Sequence, residues 1–327
     1  MRAVVLRAFG APELLEAEVI PDPVVSADQA LVAVDIASIT FVETQVRAGN
    51  PPHRAMLPPL PVVLGNGVGG TVTSVGANVD PRLVGRRVIT TTGGTGGYAE
   101  LVAVDARSLI DVPPELELAE AAALLADGRT AIGLMDLADV SPGESVLIEA
   151  AAGGVGSLLV QLATNAGARV VAAVGGAKKA NLAREVLGAR FAVDYTEPDW
   201  TTVAQAEIGA VHVVFDGVGG HVGASAFSLL GDAGRFVQFG MASGSFTAIP
   251  EAEAASRRIA VLRPPMRDTA ETNELTRRAL REAVAGRVRP AIGQTYPLEQ
   301  AAAAHAAVAA RGTVGKTLLV VRGSDGG

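Results

Sequence analysis

Between Ser145 and Val174 the chain reads SVLIEAAAGGVGSLLVQLATNAGARVVAAV: an apolar run, a cluster of glycines, a helical stretch and a second apolar run. This pattern constrains the fold more than any other. Glycine lets the backbone approach a ligand closely, because no Cβ stands in the way. The first amides of a helix are unpaired, and the helix dipole places partial positive charge there. A pyrophosphate suits that environment. Ala151–Gly156, AAGGVG, therefore reads as a dinucleotide-binding turn. It keeps Gly153 and Gly156 of the G-x-G-x-x-G fingerprint, with Ala151 in place of the first glycine. The strand before it, the helix after it and the second strand beyond give the match its specificity. The competing reading is a glycine-rich connection with no ligand.

The tip of the second strand selects the cofactor. Sites that prefer NAD carry an acid about 20 residues beyond the loop, where it binds the ribose 2′-hydroxyl. Here the tip reads Val174-Gly175-Gly176-Ala177-Lys178-Lys179, with two amines and no carboxylate. A carboxylate would repel a 2′-phosphate and a lysine would pair with it. The expected cofactor is NADPH.

Around this turn, strands and helices alternate. RVVAAV, FAVDY, HVVFDG and GRFVQFG are apolar runs. Helices are expected over Gly154–Ala166, Lys179–Leu187 and Ala224–Leu230. Such alternation indicates a parallel sheet covered on both faces. The first 120 or so residues differ. Short Val/Thr/Ile runs punctuated by Gly, Pro, Asp and Asn suggest a partly open barrel. The Pro-rich stretch 53–66 reads as a loop, and 117–138 as a helix. Helices over Glu271–Ala285 and Leu298–Ala310, and a strand at GKTLLVV, could return to the first domain. SDGG at the end of the sequence is expected to fray. With aromatics at 4%, the core must come from Val, Ala and Leu.

The net charge of −7 argues against a nucleic-acid or anionic-membrane partner, since both need a basic face. With no cysteine, disulfides, thiolate metal sites and cysteine nucleophiles are excluded. MRAVVLRAFG has no long apolar core, so it does not read as a signal peptide, and no uncharged apolar run is long enough to span a bilayer. A cytoplasmic location is the default expectation.

AAGGVG, VVAAVGGAKKA, FAVDY, VVFDGVGG, GRFVQFG and LRPPM occur in that order. With the N-terminal pattern, they resemble the zinc-independent medium-chain dehydrogenase/reductase superfamily, on the branch of the NADPH:quinone oxidoreductases. The resemblance covers nearly the whole chain. It implies an α/β protein: a GroES-like β-barrel substrate domain at 1–120, completed by 266–327, and a doubly wound Rossmann domain with a parallel sheet at 121–265. It also implies a cleft between the domains and a homodimer formed through the Rossmann sheets. Motif by motif, the resemblance implies that Gly153, Gly154 and Val155 line the pyrophosphate, and that Gly175 and Lys179 meet the ribose phosphate with Tyr195 packed nearby. Phe239, Gly240 and Ser243 would flank the nicotinamide half, with Arg263 and Arg311 as further cofactor contacts. Each has a plainer reading: Gly175 and Gly240 as strand ends, Tyr195 as a half-buried loop aromatic, Arg311 as a surface cation at a helix end.

Zinc members of the superfamily use a cysteine near position 38 and a Gly-His-Glu turn. This chain has Ser38, and Gly65-Asn66-Gly67-Val68 at the turn. His53, His212, His221 and His305 show no ligand spacing, so no metal is expected. The expected reaction is hydride transfer from NADPH to a quinone or α,β-unsaturated carbonyl, with a proton from solvent or a nearby hydroxyl. Related quinone oxidoreductases often read N-F-x-D-x-Y-x-R-x-G where this chain has residues 40–49. Thr40 stands at the asparagine and Gln45 at the aromatic ring, which points to a more polar acceptor. Thr130 matches a threonine at the cleft floor. Asp127 and Arg129 add charge near the domain junction, either as a local salt bridge at a helix start or as a group that greets a polar substrate. Thr40, Gln45, Arg129 and Thr130 are the candidate catalytic residues. A specialised biosynthetic enone or enoyl-thioester reductase, and a non-catalytic NADPH-binding protein of the crystallin kind, remain open alternatives.

Overall fold

The computed structural model describes residues 1–322, so the fraying expected of SDGG lies outside the described residues. The chain forms two compact units. One holds 1–126, 269–284 and 290–327; the other holds 127–268 and 285–289.

The first stretch supplies β1 (Arg2–Leu6), β2 (Leu15–Val19), β3 (Gln29–Ile39), α1 (Phe41–Ala48), β4 (Val62–Val63), β5 (Gly67–Val75), β6 (Arg87–Thr91), β7 (Leu101–Asp105) and β8 (Ile110–Asp111). α2 (Leu118–Ala138) follows. Then come β9 (Ser145–Glu149), α3 (Gly154–Asn165), β10 (Arg169–Val174), α4 (Ala177–Glu185), β11 (Phe191–Asp194), α5 (Trp200–Ile208), β12 (Val211–Asp216), α6 (Gly220–Ser228), β13 (Leu230–Gln238), α7 (Glu251–Ser256) and β14 (Ala260–Leu262). The chain continues through α8 (Thr269–Val284), β15 (Ile292–Pro297), α9 (Ala301–Ala309) and β16 (Lys316–Val320).

In the first unit β15-β16-β3-β5-β6-β8 form one sheet, with β7 also paired to β3, and β2-β1-β4 form a second. β3 is 11 residues long and slips register against β5 after Leu31 and again after Val34. Such irregularities bend a strand and let a sheet curl. At Gly70 a Cβ would lie 2.0 Å from the Ala33 carbonyl oxygen, so only glycine permits this pairing. Val32, Val34, Val68, Val72, Val88, Tyr98 and Leu319 fill the interior. This is the GroES-like barrel. The loop expected at 53–66 contains β4 and a turn of 3₁₀ helix at Arg54–Met56.

In the second unit the sheet order is β11-β10-β9-β12-β13-β14, and every pair is parallel. That is the doubly wound order of a Rossmann domain, with its switch point between β9 and β12. Every residue of β9 is buried, as expected of a strand covered on both faces. α5 was not anticipated, and α6 begins four residues before the expected 224.

Residues 285–289 belong to the second unit rather than to the expected completion of the first. The cause is local. Gln161 on α3 donates to the Arg289 carbonyl at 2.9 Å and accepts from its amide at 2.8 Å, and Asn165 donates to the Arg287 carbonyl. No helix among the described residues is long and apolar enough to cross a membrane.

Candidate functional site

The glycine turn leaves β9 at its C-terminal edge. Ala150 adopts a left-handed conformation at φ 48°, which turns the chain out of the strand. Gly153 then caps α3 with no side-chain hydrogen bond, leaving the first helical amides to other partners. The glycines answer three different needs. A Cβ on Gly156 would lie 2.3 Å from the Ala150 carbonyl oxygen, so this glycine lets the helix close on the turn. A Cβ on Gly154 would lie 1.9 Å from Asp127 Oδ2. A Cβ on Gly153 would meet only the Ala150 carbonyl oxygen, at 3.1 Å, which leaves that side of the backbone approachable. Val155 is the second residue of α3 and half-buried.

Asp127 and Arg129 lie in the middle of α2, so the expectation of a salt bridge at a helix start is corrected. Asp127 is buried against the start of α3, where the dipole favours a carboxylate. Arg129 is half-buried. Burial lowers the pKa of its guanidinium, and the Asp127 charge opposes that shift. Thr130 follows, half-buried.

At the tip of β10 the Tyr195 ring lies over Gly175, where a Cβ would stand 3.2 Å from its hydroxyl oxygen. Lys179 is half-buried on the first turn of α4, and Lys178 is exposed. The sequence reading missed Asp194 here. Its Oδ1 accepts from the Gly176 amide at 2.9 Å, the Thr196 amide at 3.0 Å and the Thr196 hydroxyl at 2.7 Å. Partial burial raises this carboxyl, and the hydrogen bonds from Thr196 and Gly176 outweigh it and hold it below its ordinary value. Asp194 is thus the fastener of the Gly176 turn.

Across the switch point, the loops after β12 and β13 close on each other. The Phe239 and Gly240 amides donate to the Asp216 carbonyl, and the Ser243 amide donates to the Val218 carbonyl. A Cβ on Gly240 would lie 2.4 Å from the Gly217 carbonyl oxygen, and one on Gly217 would lie 2.8 Å from Phe239 Cζ. Phe239, Gly240 and Ser243 are therefore brought together at one edge. Exposed Arg263 donates from Nε to Gln238 Oε1 at 2.9 Å.

In the first unit, Thr40 caps α1. Its hydroxyl donates to Glu43 Oε2 at 3.0 Å, and its amide donates to the same oxygen at 2.6 Å. Glu43 Oε1 accepts from the Asn66 amide at 2.7 Å. Glu43 is buried, and burial outweighs these bonds and the Lys316 charge to push its carboxyl up. Thr40 and Glu43 thus form a capping box that also holds the Asn66 turn. Gln45 is half-buried on the same helix. Arg311 belongs to this unit and takes a left-handed φ of 56° just past α9, at an exposed position.

A zinc ion does not fit the donor set. The Ser38 hydroxyl is buried against the Gly67 carbonyl at 3.4 Å, and among the described residues no group of three or more His, Asp or Glu side chains could hold a metal ion.

The alcohol dehydrogenase GroES-like domain family matches residues 26–114, and the zinc-binding dehydrogenase family matches 187–319. A quinone oxidoreductase of Pseudomonas aeruginosa is 32% identical over 330 residues, covering 96% of this chain and 97% of the relative. A 2-haloacrylate reductase of a Burkholderia species is 32% identical over 293 residues, covering 86% and 87%. The crystal structure of Escherichia coli quinone oxidoreductase complexed with NADPH superposes with a TM-score of 0.89 at 28% identity, over 98% of this chain and 100% of that one. Full-length similarity, the doubly wound sheet and the ordered glycine motifs agree: the chain belongs to the quinone oxidoreductase-like branch of the medium-chain dehydrogenase/reductase superfamily.

Proposed function

We propose that this chain is an NADPH-dependent reductase that passes hydride to a quinone or an α,β-unsaturated carbonyl without a metal. The observation that carries the reading is the glycine-capped start of α3. Gly153 and Gly154 lead into the helix with no side-chain cap from residue 153, at the C-terminal edge of β9 beside the switch point. The amines of Lys178 and Lys179 at the next strand tip favour a 2′-phosphate over a 2′-hydroxyl. The names of the relatives, quinone oxidoreductase and 2-haloacrylate reductase, and the NADPH held by the Escherichia coli protein support the same assignment.

NADPH, when bound, supplies the hydride. The protein's part is positioning. The amides of Gly154 and Val155 hold the pyrophosphate. Gly175 gives the adenosine end room beneath Tyr195, and Lys179 pairs with the phosphate. Phe239, Gly240 and Ser243 flank the nicotinamide half, and Arg263 and Arg311 are further contacts. Thr40, Gln45, Thr130 and Arg129 set the acceptor's surroundings. Thr40 does so as a positioning residue, since its hydroxyl is committed to Glu43. We also infer a cytoplasmic homodimer formed through the Rossmann sheets. β14 ends the six-stranded order, and an unpaired edge invites a second copy. Analytical ultracentrifugation checks this.

An unsaturated carboxylate is a second acceptor class. The half-buried Arg129 guanidinium favours it, because a desolvated cation suits a carboxylate. The decisive experiment is NADPH oxidation with a panel of quinones, enones, 2-haloacrylates and acyl thioesters. Turnover with any of these supports the reductase and names the class. NADPH binding without turnover across the panel would mean a cofactor-binding protein. No binding of either pyridine dinucleotide would overturn the reading.

A further inference from the structure

Two carboxyl groups end neighbouring strands of the six-stranded sheet. Glu149 closes β9 and Asp216 closes β12, and the parallel register sets Phe215 opposite Ile148 one step earlier. Both side chains are 0% exposed. Asp216 Oδ1 accepts from the Gly219 amide at 2.7 Å, and Oδ2 accepts from the Thr247 hydroxyl at 2.7 Å. Glu149 Oε2 accepts from the Val218 amide at 3.0 Å. Glu149 Oε1 is buried and has no hydrogen-bond partner among the described residues. Two ionised carboxylates cannot share a dry pocket, and an acceptor left bare there is costly. A proton on Glu149 resolves both problems, because the acid then has a donor to offer and one charge disappears.

We infer that Glu149 and Asp216 hold one proton between them, and that this pair couples dinucleotide binding to pH. The coupling rests on the cofactor reading above; the shared proton does not.

The pair stands beneath the two loops that a dinucleotide at this edge would meet. One runs from Ala150 into α3, and the other from Gly217 into α6. Glu149 fixes the second loop through the Val218 amide, and Asp216 fixes it through Gly219. Gly219 and Gly220 hold left-handed conformations there, at φ 74° and 55°. Thr247 extends the network: Gln238 Nε2 donates to its carbonyl at 2.9 Å, and Gln238 Oε1 takes the Arg263 bond. Arg263 is the cation at the far end of that chain. Among the described residues, Asp216 is the charged group that acts on Glu149. Burial first, then the Asp216 charge, pushes the Glu149 carboxyl well above its ordinary value. Loss of the proton leaves two negative charges under loops that must receive an anion. Glu149 is a positioning residue, reaching the ligand through the backbone of Val218.

The full chain serves for the test. Infrared spectra of the ligand-free protein just above the ordinary carboxylate range should contain a protonated-carboxyl band that Glu149→Gln lacks, and the band should fade as the pH of the wild type is raised further. A wild type without the band overturns the shared proton. Should Glu149→Gln fail to fold, the fading of the wild-type band, and its fading at a lower pH in Asp216→Asn, decide the same point. For a carboxyl raised on folding, the stability contribution is complete below the ordinary carboxylate value and is lost as pH climbs through the raised one. The ligand-free wild type should therefore lose Tm as pH rises from the ordinary carboxylate value toward the raised one, and Glu149→Gln should flatten that loss. NADPH affinity, read by fluorescence titration, should weaken by up to about tenfold per pH unit through the transition and become level in Glu149→Gln. A level wild-type affinity alongside a clear infrared band overturns the coupling alone. No NADPH binding at any pH overturns the coupling together with the dinucleotide reading, and leaves the shared proton to the infrared result.

Discussion

The carboxylate of Asp127 occupies the place a side chain on Gly154 would need: a Cβ there would stand 1.9 Å from Oδ2. Gly154→Ala should therefore force Asp127 and the start of α3 apart. The expected cost is about 1–3 kcal/mol of stability, with weaker NADPH binding. The double variant Gly154→Ala/Asp127→Ala should recover much of the stability, because the clash goes with the carboxylate. Denaturant midpoints of the single and double variants give the coupling energy. Simple additivity would mean that the contact is not what holds glycine at 154.

The phosphate-pairing role proposed for Lys179 has a direct test. Lys179→Ala should reduce NADPH affinity by roughly 10- to 100-fold, the worth of a charge-assisted bond, and leave NADH affinity nearly unchanged. Isothermal titration with both dinucleotides measures the ratio. An unchanged ratio removes the lysine from the phosphate site.

Thr40 should act first on stability. Thr40→Ala breaks the capping box with Glu43 and should cost about 1 kcal/mol, with Thr40→Ser restoring most of it. Thermal unfolding reads this directly. A loss of turnover in Thr40→Ser at full stability would instead place the threonine methyl against the acceptor.

The Tyr98 hydroxyl lies 3.0 Å from His305 Nε2, and both side chains are buried. Burial, aided by the Arg47 charge, lowers the His305 pKa to about 3 from 6.5. The unfolded chain then binds more protons than the folded one across that interval. Stability is present above about 6.5 and is lost as pH falls toward 3. Tm should drop on the acid side, and His305→Gln should flatten the drop. This limb is separable from the one assigned to Glu149 because it has the opposite sign: His305 adds stability as pH rises and Glu149 loses it.

Local patterns were the legible part. The turn at 153–156, the parallel alternation and the return of GKTLLVV to the barrel all follow from runs of neighbouring residues. β15 was missed because IGQTYP alternates between exposed and half-buried residues and carries little apolar signal. In the sequence Asp127 reads with Arg129, as a local salt bridge at a helix start or a charge for a polar substrate, because its neighbour at the start of α3 comes nearly 30 residues later. Glu149 and Asp216 read as ordinary strand ends, since only the sheet order makes β9 and β12 neighbours. Asp194 escaped notice for a related reason. The acid was sought after β10, and it stands at the end of the strand beside it.

The pairing of β16 bears on how the chain is made. Its residues 317–320 line the edge of β3 from Ile36 to Ile39, and β15 then adds to its other side. During translation β3 emerges before the whole of the second unit and waits for that neighbour until residues 316–320 follow. The stretch 127–268 meanwhile contains every strand of its own sheet. The nascent protein can thus complete its middle before its beginning, and the interrupted barrel is the part most exposed to mispairing on the ribosome.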